Sequence, residues 1–136
     1  SPADWYRRLN RRVFFWLTRK RLLRLTTARP YRDGEHDVLE IDAGALVTAY
    51  RHAITLSPIN SGVTRPFPQR RGNATFLPIG EYPYAGWRAK RPAGERAVEL
   101  TIDHGVPDIL GFVRRVTVMR GTDETGVLYE KCDAGA

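Results

Sequence analysis

A short segment near the C-terminus constrains the fold more than any other part of this sequence. Over residues 97–103 apolar and polar side chains alternate, and a two-residue period predicts a β-strand with one apolar face. The apolar set is Val98, Leu100 and Ile102. Glu99 stands on the other side, in the middle of the strand. We expect its carboxylate to be partly exposed in a cleft and aimed at a ligand, and the competing interpretation is a solvated outer face.

Prolines, glycines and capping residues divide the remaining sequence into short elements. Residues 57–95 carry six prolines and five glycines, so we expect an irregular loop there, with one helical turn at 84–90. Ser1 with Asp4, and separately Asp42, are suited to cap helices. Helices are predicted from Ser1, at 19–28 and at 43–50, and strands at 13–17, 38–41, 53–56, 97–103, 113–119 and 127–130. This order predicts an α+β fold whose second half is rich in strands.

Length and composition indicate one domain with a core of ordinary size. The chain has 136 residues, of which 42% are hydrophobic. The predicted domain, 1–136, consists of a basic helical N-terminal part (1–32), the irregular loop (57–95) and C-terminal strands (96–131).

No run of about 18 apolar residues is present, and we expect no membrane contact. The single cysteine, Cys132, excludes an internal disulfide, and without an apolar leader we expect a cytoplasmic protein.

Basic residues are concentrated in the first quarter of the chain. The formal net charge is +7, and residues 1–32 hold ten basic side chains against one acid, Asp4. An anionic partner would satisfy this asymmetry, whether a nucleic acid, a dinucleotide or an acidic surface of another segment. A solvated helix face would satisfy it equally well.

The sequence lacks the motifs of several common kinds of site. The three histidines, His36, His52 and His104, lack metal-ligand spacing to one another or to Cys132, which predicts that no metal is bound. Neither a glycine-rich phosphate loop nor the nucleophile elbow of serine hydrolases is present.

Three other segments offer groups that could bind a ligand. Asn60 and Ser61 lie in a turn directly after a predicted strand, where they either form a plain turn or contact a ligand. Arg70 and Arg71 form a basic pair in the long loop, where they either bind phosphate or stay solvated. Residues 14–16 are all aromatic, and they either pack in the core or provide a stacking surface for a base or a nicotinamide.

Five segments of the sequence resemble an uncharacterised bacterial domain family. They are residues 4–17 (DWYRRLNRRVFFWL), 38–42 (VLEID), 56–62 (LSPINSG), 99–103 (ELTID) and 106–109 (VPDI). The resemblance extends over nearly the whole chain, to about residue 118. That family is similar in element order to ADP-ribosyltransferases, especially the bacterial toxins that modify DNA. In those enzymes an aromatic strand is followed by a helix, by a strand that ends in Asp and later by a strand that carries a glutamate.

The resemblance implies an ADP-ribosyltransferase-like split antiparallel sheet with short helices, incomplete at the N-terminus. It implies NAD as the substrate and Glu99 as the catalytic residue. The NAD-binding residues that it implies are Phe15, Trp16, Arg21, Asn60 and Ser61, and the residues for phosphate or nucleic acid are Arg11, Arg12, Arg70 and Arg71. Relatives carry an upstream segment with a Tyr-His or similar pair that helps to hold the nicotinamide ribose. We therefore expect a missing N-terminal segment, or a partner chain, to complete the site.

Two classes of function follow from these features. The first is an ADP-ribosyltransferase that modifies a nucleic acid or a protein, or, on the same fold, an enzyme that removes a 2′-phosphate from RNA. It requires Glu99 in a concave site with arginines converging on it. The second is a non-catalytic basic module that binds nucleic acid or a partner. It requires the bases of residues 1–32 on one exposed face, away from Glu99.

The basic N-terminal part predicts salt-sensitive binding of polyanions. We expect affinity for duplex DNA to fall with added salt, with a log–log slope of about −0.9 for each phosphate contact, because each contact releases condensed counterions. Fluorescence anisotropy with labelled DNA and RNA over a range of salt concentrations measures that slope. Absence of binding at low salt would exclude the anionic partner.

Overall fold

Short helices and antiparallel strands form a mixed α+β structure. The computed structural model describes residues 1–4, 7, 11–59 and 75–132. Residues 2–4 and 7 are helical. The further helices are α1 (Arg19–Thr26), α2 (Ala43–Tyr50) and α3 (Tyr84–Lys90), with a 3-10 turn at Ile109–Phe112. The strands are β1 (Arg12–Trp16), β2 (His36–Ile41), β3 (Ile54–Ser57), β4 (Leu77–Pro78), β5 (Glu99–Asp103), β6 (Val113–Arg120) and β7 (Asp123–Glu130). Within the described residues every strand pair is antiparallel. The predicted α+β class with antiparallel sheets and short helices is therefore confirmed.

The chain forms two compact units, each containing one sheet. The first consists of Ser1–Thr18 and Tyr50–Val106, and the second consists of Arg19–Ala49 and Pro107–Ala136. The first unit holds four strands in the order β1-β5-β3-β4, and the second holds three in the order β2-β6-β7.

Strand β5 lies at the centre of the first unit and determines which residues share a face. Leu100 pairs with Phe15 on β1 and with Leu56 on β3. Ile102 likewise lies between Val13 and Ile54. Because directly opposed residues of antiparallel strands project to the same side, these two rows make one face entirely apolar. This face supplies much of the buried core of the unit, as the alternation of 97–103 predicts.

The second unit contains a three-stranded meander whose faces differ. On β6, Val113, Thr117 and Met119 are buried. The opposite face exposes Leu39 of β2 and Tyr129 of β7, which both pair with Val116. Their exposure follows from the same two-residue period that buries the first set.

Three elements depart from the sequence-based expectations. The two-residue strand β4 lies inside the stretch predicted to be irregular, and the 3-10 turn was not predicted at all. Strand β7 begins at Asp123, four residues before the predicted strand at 127–130. Its polar start carries no apolar alternation, so strand formation there depends on pairing with β6 across the turn at Gly121, which has a φ of 57°.

Two helix starts are confirmed at atomic detail. The Asp4 amide donates to the Ser1 hydroxyl oxygen at 3.3 Å, and the Ser1 hydroxyl donates to the Asp4 carboxylate at 2.7 Å. At α2 the Ala45 amide donates to the Asp42 carboxylate at 3.0 Å. The bonds from the Asp4 and Ala45 amides each satisfy a donor that has no partner within its own helix.

Substitution of the α2 cap should weaken the fold by a measurable amount. We expect Asp42→Ala to lower the free energy of unfolding by about 1 kcal/mol, because the Ala45 amide loses its acceptor. Asp42→Asn keeps an accepting oxygen, so its free energy of unfolding should fall by less. Urea unfolding followed by circular dichroism compares the two variants, and equal losses would show that the cap does not stabilise α2 through this bond.

Candidate functional site

The second face of the first-unit sheet is polar and forms the candidate site. It is built from three rows of opposed residues across β1, β5 and β3, and we call it the polar face. The rows are Arg12 with Asp103, then Phe14 with Thr101 and Thr55, then Trp16 with Glu99 and Ser57. Each of these residues alternates along its strand with a residue of the apolar face.

Glu99 is buried within this face. Its exposed fraction is 2%, and Ser57 beside it is fully buried. The expectation of a partly exposed carboxylate is therefore wrong, although the predicted burial of Val98, Leu100 and Ile102 is confirmed. The physical reason is that β5 is an interior strand that is covered on both sides. The alternation of apolar and polar residues therefore predicts which face a side chain occupies, but it does not predict whether that face is exposed to solvent.

The middle row of the polar face is a packed hydrogen-bonded layer. The hydroxyl oxygens of Thr55 and Thr101 lie 2.5 Å apart, and the Thr101 side chain is fully buried. Paired hydroxyls satisfy each other where water is excluded, which is why two threonines are tolerated at the centre of a sheet. This layer, with one residue from each strand, lies between the Glu99 row and the Arg12 row.

The third row is a cluster of charges centred on Asp103. The Nε atoms of Arg11 and Arg12 each lie 3.6 Å from the same Asp103 Oδ1. The Arg12 side chain is only 6% exposed, whereas that of Arg11 is 49% exposed. The guanidinium carbon of Arg12 also lies 4.4 Å from the centre of the Phe76 ring. Arg12 is therefore part of the packed interior, and Arg11 is the arginine of this pair that remains accessible to an anion.

Phe76 is a site residue that the sequence interpretation missed. It is buried, and its ring meets Phe14 edge to face with 6.1 Å between centroids. It thus covers the part of the polar face around Arg12 and Phe14. Because Phe76 lies in a proline-rich and glycine-rich stretch without periodicity, no sequence signal could have placed it on this sheet.

The predicted NAD-binding residues are only partly brought together. Trp16 lies in the Glu99 row, but Phe15 points to the apolar face, opposite Leu100. Adjacent strand residues face opposite ways, so the two aromatic side chains cannot line one surface. Arg21 belongs to α1 in the second unit.

Four of the predicted contact residues lie outside the described residues. They are Asn60, Ser61, Arg70 and Arg71. Their assignments stay predictions.

A second polar network surrounds the end of β3. The Ser57 hydroxyl donates to the Ile59 carbonyl at 3.0 Å, and the Ile59 amide donates back to that hydroxyl at 3.3 Å. One Arg91 nitrogen, Nη1, donates to the carbonyls of Pro58 at 2.5 Å and Glu95 at 3.1 Å. The turn of residues 57–59, which we call the β3 end turn, is therefore held by its own side chain and by Arg91.

Tyr82 anchors the chain just before β5. Its hydroxyl donates to the carbonyl of Arg96. Burial raises the pKa of Tyr82 to about 12, because an ionised phenolate would be poorly solvated there. The phenol is thus a neutral structural donor rather than an acid or base near neutral pH.

The described part of the chain shows neither a metal-binding cluster nor a membrane-spanning helix. Among those residues, no three His, Cys, Asp or Glu side chains are grouped so that they could coordinate a metal ion. No helix formed by those residues combines the length and the apolar character that crossing a bilayer requires.

Comparison with known proteins assigns the chain to a family. A model of a family described as "Family of unknown function (DUF7002)" matches residues 1–113, which is most of the 136-residue chain. The chain therefore belongs to this family of unknown function, as the resemblance to an uncharacterised domain family predicts. No curated protein and no solved structure matches the chain.

The Asp103 cluster gives a stability prediction. We expect Asp103→Asn to lower the free energy of unfolding by about 2 kcal/mol, because it removes a carboxylate beside a nearly buried guanidinium. This value lies below the range for fully buried pairs, since the Asp103 side chain is 33% exposed. The control is Asp33→Asn. The Asp33 carboxylate lies 3.9 Å from Arg32 Nε, and its side chain is 93% exposed. Its loss should change the free energy of unfolding by less than about 0.5 kcal/mol. Equal effects in chemical denaturation would show that the buried Arg12 does not depend on Asp103.

Proposed function

We propose that this chain is an ADP-ribosyltransferase-like domain that uses NAD to modify a nucleic acid or a protein, with Glu99 as its catalytic carboxylate. The observation that carries the proposal is the position of Glu99. It is a buried acid on an interior antiparallel strand, in one row with an indole and a strand-end serine. The expected split-sheet architecture of that enzyme class is part of the same proposal.

The chemistry of ADP-ribose transfer fits a carboxylate in this setting. The bond between ribose C1′ and the nicotinamide nitrogen breaks, its electron pair leaves with nicotinamide, and positive charge builds on the ribose. A fixed carboxylate stabilises that charge strongly where water is excluded. The acceptor then bonds to C1′, and Glu99 takes the proton that the acceptor gives up before releasing it to solvent.

The neighbouring residues supply complementary roles. Trp16, which shares the row of Glu99, offers an aromatic ring on which nicotinamide could stack. Arg11 is half exposed and suits the pyrophosphate, whereas Arg12 is already buried against Asp103 and Phe76. Because Glu99 is 2% exposed, the proposal requires neighbouring side chains to move when NAD enters, so binding includes a conformational step.

A second candidate is a non-catalytic module that binds nucleic acid. The observation in its favour is the exposure of the basic residues Arg19, Lys20, Arg24, Arg29 and Arg32 in the second unit. Against it, Arg12 belongs to the same basic N-terminal part and is buried in the first unit. The ten bases of residues 1–32 therefore do not all lie on one exposed face.

Replacement of the carboxylate by an amide tests the enzymatic proposal. We expect Glu99→Gln to reduce transfer by about a hundredfold to a thousandfold, because glutamine keeps the size of the side chain but cannot offset positive charge on the ribose. The assay follows labelled ADP-ribose from NAD onto mixtures of DNA, RNA and protein. Release of phosphate from RNA that carries a 2′-phosphate is scored in parallel, to detect the related reaction.

The matched control is Glu81→Gln, which makes the same chemical change at an exposed position of the first unit. It should leave transfer unchanged. Thermal unfolding of both variants separates a loss of chemistry from a loss of fold. Wild-type transfer that persists in a folded Glu99→Gln variant would show that Glu99 is structural, and binding of nucleic acid without any turnover would favour the second candidate.

A further inference from the structure

Arg91 connects three segments of the first unit that are distant in sequence. Its guanidinium carbon lies 4.2 Å from the centre of the Trp87 ring on α3. Its Nη1 donates to the Pro58 carbonyl, 33 positions away, and to the Glu95 carbonyl. One half-buried side chain thus joins helix α3, the β3 end turn and the segment that leads into β5.

The local sequence and the backbone bonds of Arg91 explain how its guanidinium is positioned. Trp87 and Arg91 are four residues apart at the end of α3, a spacing that places two side chains on one helix face. The Arg91 amide donates to the Trp87 carbonyl at 2.8 Å, which closes the last helical turn. The Arg91 carbonyl in turn accepts from Arg96 Nε at 3.3 Å. The backbone and the side chain of Arg91 are therefore both held by contacts other than the bond to Pro58.

The β3 end turn that Arg91 holds lies next to the Glu99 row. Ser57 is the Cα partner of Glu99, and the Ser57 carbonyl accepts from the Val98 amide at 2.8 Å. One side of the turn is therefore fixed by sheet pairing beside Glu99, and the other side is fixed by Arg91 at Pro58. A hydrogen bond from a charged guanidinium to a carbonyl is stronger than a neutral one, and more so where the side chain is partly desolvated.

We propose that Arg91 is a positioning residue for the Glu99 site, which keeps the β3 end turn ordered beside Glu99 when NAD enters. This inference rests on the function proposed above. Arg91 itself touches backbone and an indole, so its effect on a ligand passes through residues 57–59. Arginine suits this role better than lysine, because a planar guanidinium can stack on an indole while it donates to two carbonyls.

Two variants and one control test this inference. Arg91→Met keeps much of the side-chain volume and removes both the charge and the donors, and Arg91→Lys keeps the charge and loses the planar group. The control is Arg88→Met, at an exposed position on the same helix. If Arg91→Met does not fold, Arg91→Lys against Arg88→Lys provides the same comparison.

The first readout is independent of NAD. Hydrogen–deuterium exchange of the Val98 and Ile59 amides reports the order of the β3 end turn, since both amides bond to Ser57. We expect Arg91→Met to accelerate this exchange by about tenfold or more, because a charge-assisted bond that holds the turn is lost. The Ala45 amide at the α2 cap serves as an internal reference and should not change. Equal exchange in Arg91→Met and Arg88→Met would overturn the inference.

The second readout is calorimetric titration with NAD. We expect the Kd for NAD to rise by about tenfold to a hundredfold in Arg91→Met, by less in Arg91→Lys and not in Arg88→Met. Faster exchange with unchanged NAD affinity would show that Arg91 orders the turn without serving the site, and would also overturn the inference. Wild-type protein that binds no NAD would remove the proposed function, while the exchange experiment would still decide whether Arg91 orders the turn.

Discussion

The pairing of β5 with β1 on one side and β3 on the other is the interaction on which the first unit depends. It aligns Phe15, Leu100 and Leu56 on one face and Trp16, Glu99 and Ser57 on the other. A slip of one residue would move every apolar side chain to the wrong side, so the buried apolar face determines the register. Once that register is set, the neighbours of Glu99 are determined as well. The core and the candidate site are thus two faces of the same sheet.

The two carboxylates of β5 show how one strand can hold acids in different environments. Asp103 lies at the end of the strand, partly exposed, and is neutralised by Arg11 and Arg12. Glu99 lies at the other end and is buried beside Trp16 and Ser57. Burying a carboxylate costs free energy because the charge loses its hydration. Buried acids are therefore often found where a function requires them. The proposed function rests on Glu99 because of this burial, and Asp103 is treated as structural because it pairs with Arg11 and Arg12.

Much of this arrangement could be predicted from local pattern, and the remainder depends on contacts between distant residues. The alternation of 97–103 predicted which side of β5 is apolar, and Asp42 predicted the start of α2. Neither pattern reveals that β5 is an interior strand, so the burial of Glu99 could not be foreseen. Phe76 lies in a stretch without periodicity and contacts residues that are far away in sequence. Arg91 follows a predicted helical turn, but its bond to Pro58 spans 33 positions and has no local signal. The resemblance implies that both Phe15 and Trp16 bind NAD, although strand geometry sends their side chains to opposite faces.

The central claim is that the row of Trp16, Glu99 and Ser57 receives NAD, and an NMR titration tests it most directly. The account predicts saturable shifts of the Trp16 indole N–H and of the Val98 and Glu99 amides as NAD is added. Those signals come from the row of Glu99 and from the amide that bonds to Ser57, so their movement locates the ligand rather than only detecting it. Spectra that remain unchanged at these positions, at NAD concentrations well above those at which such enzymes are typically half-saturated, would contradict the account.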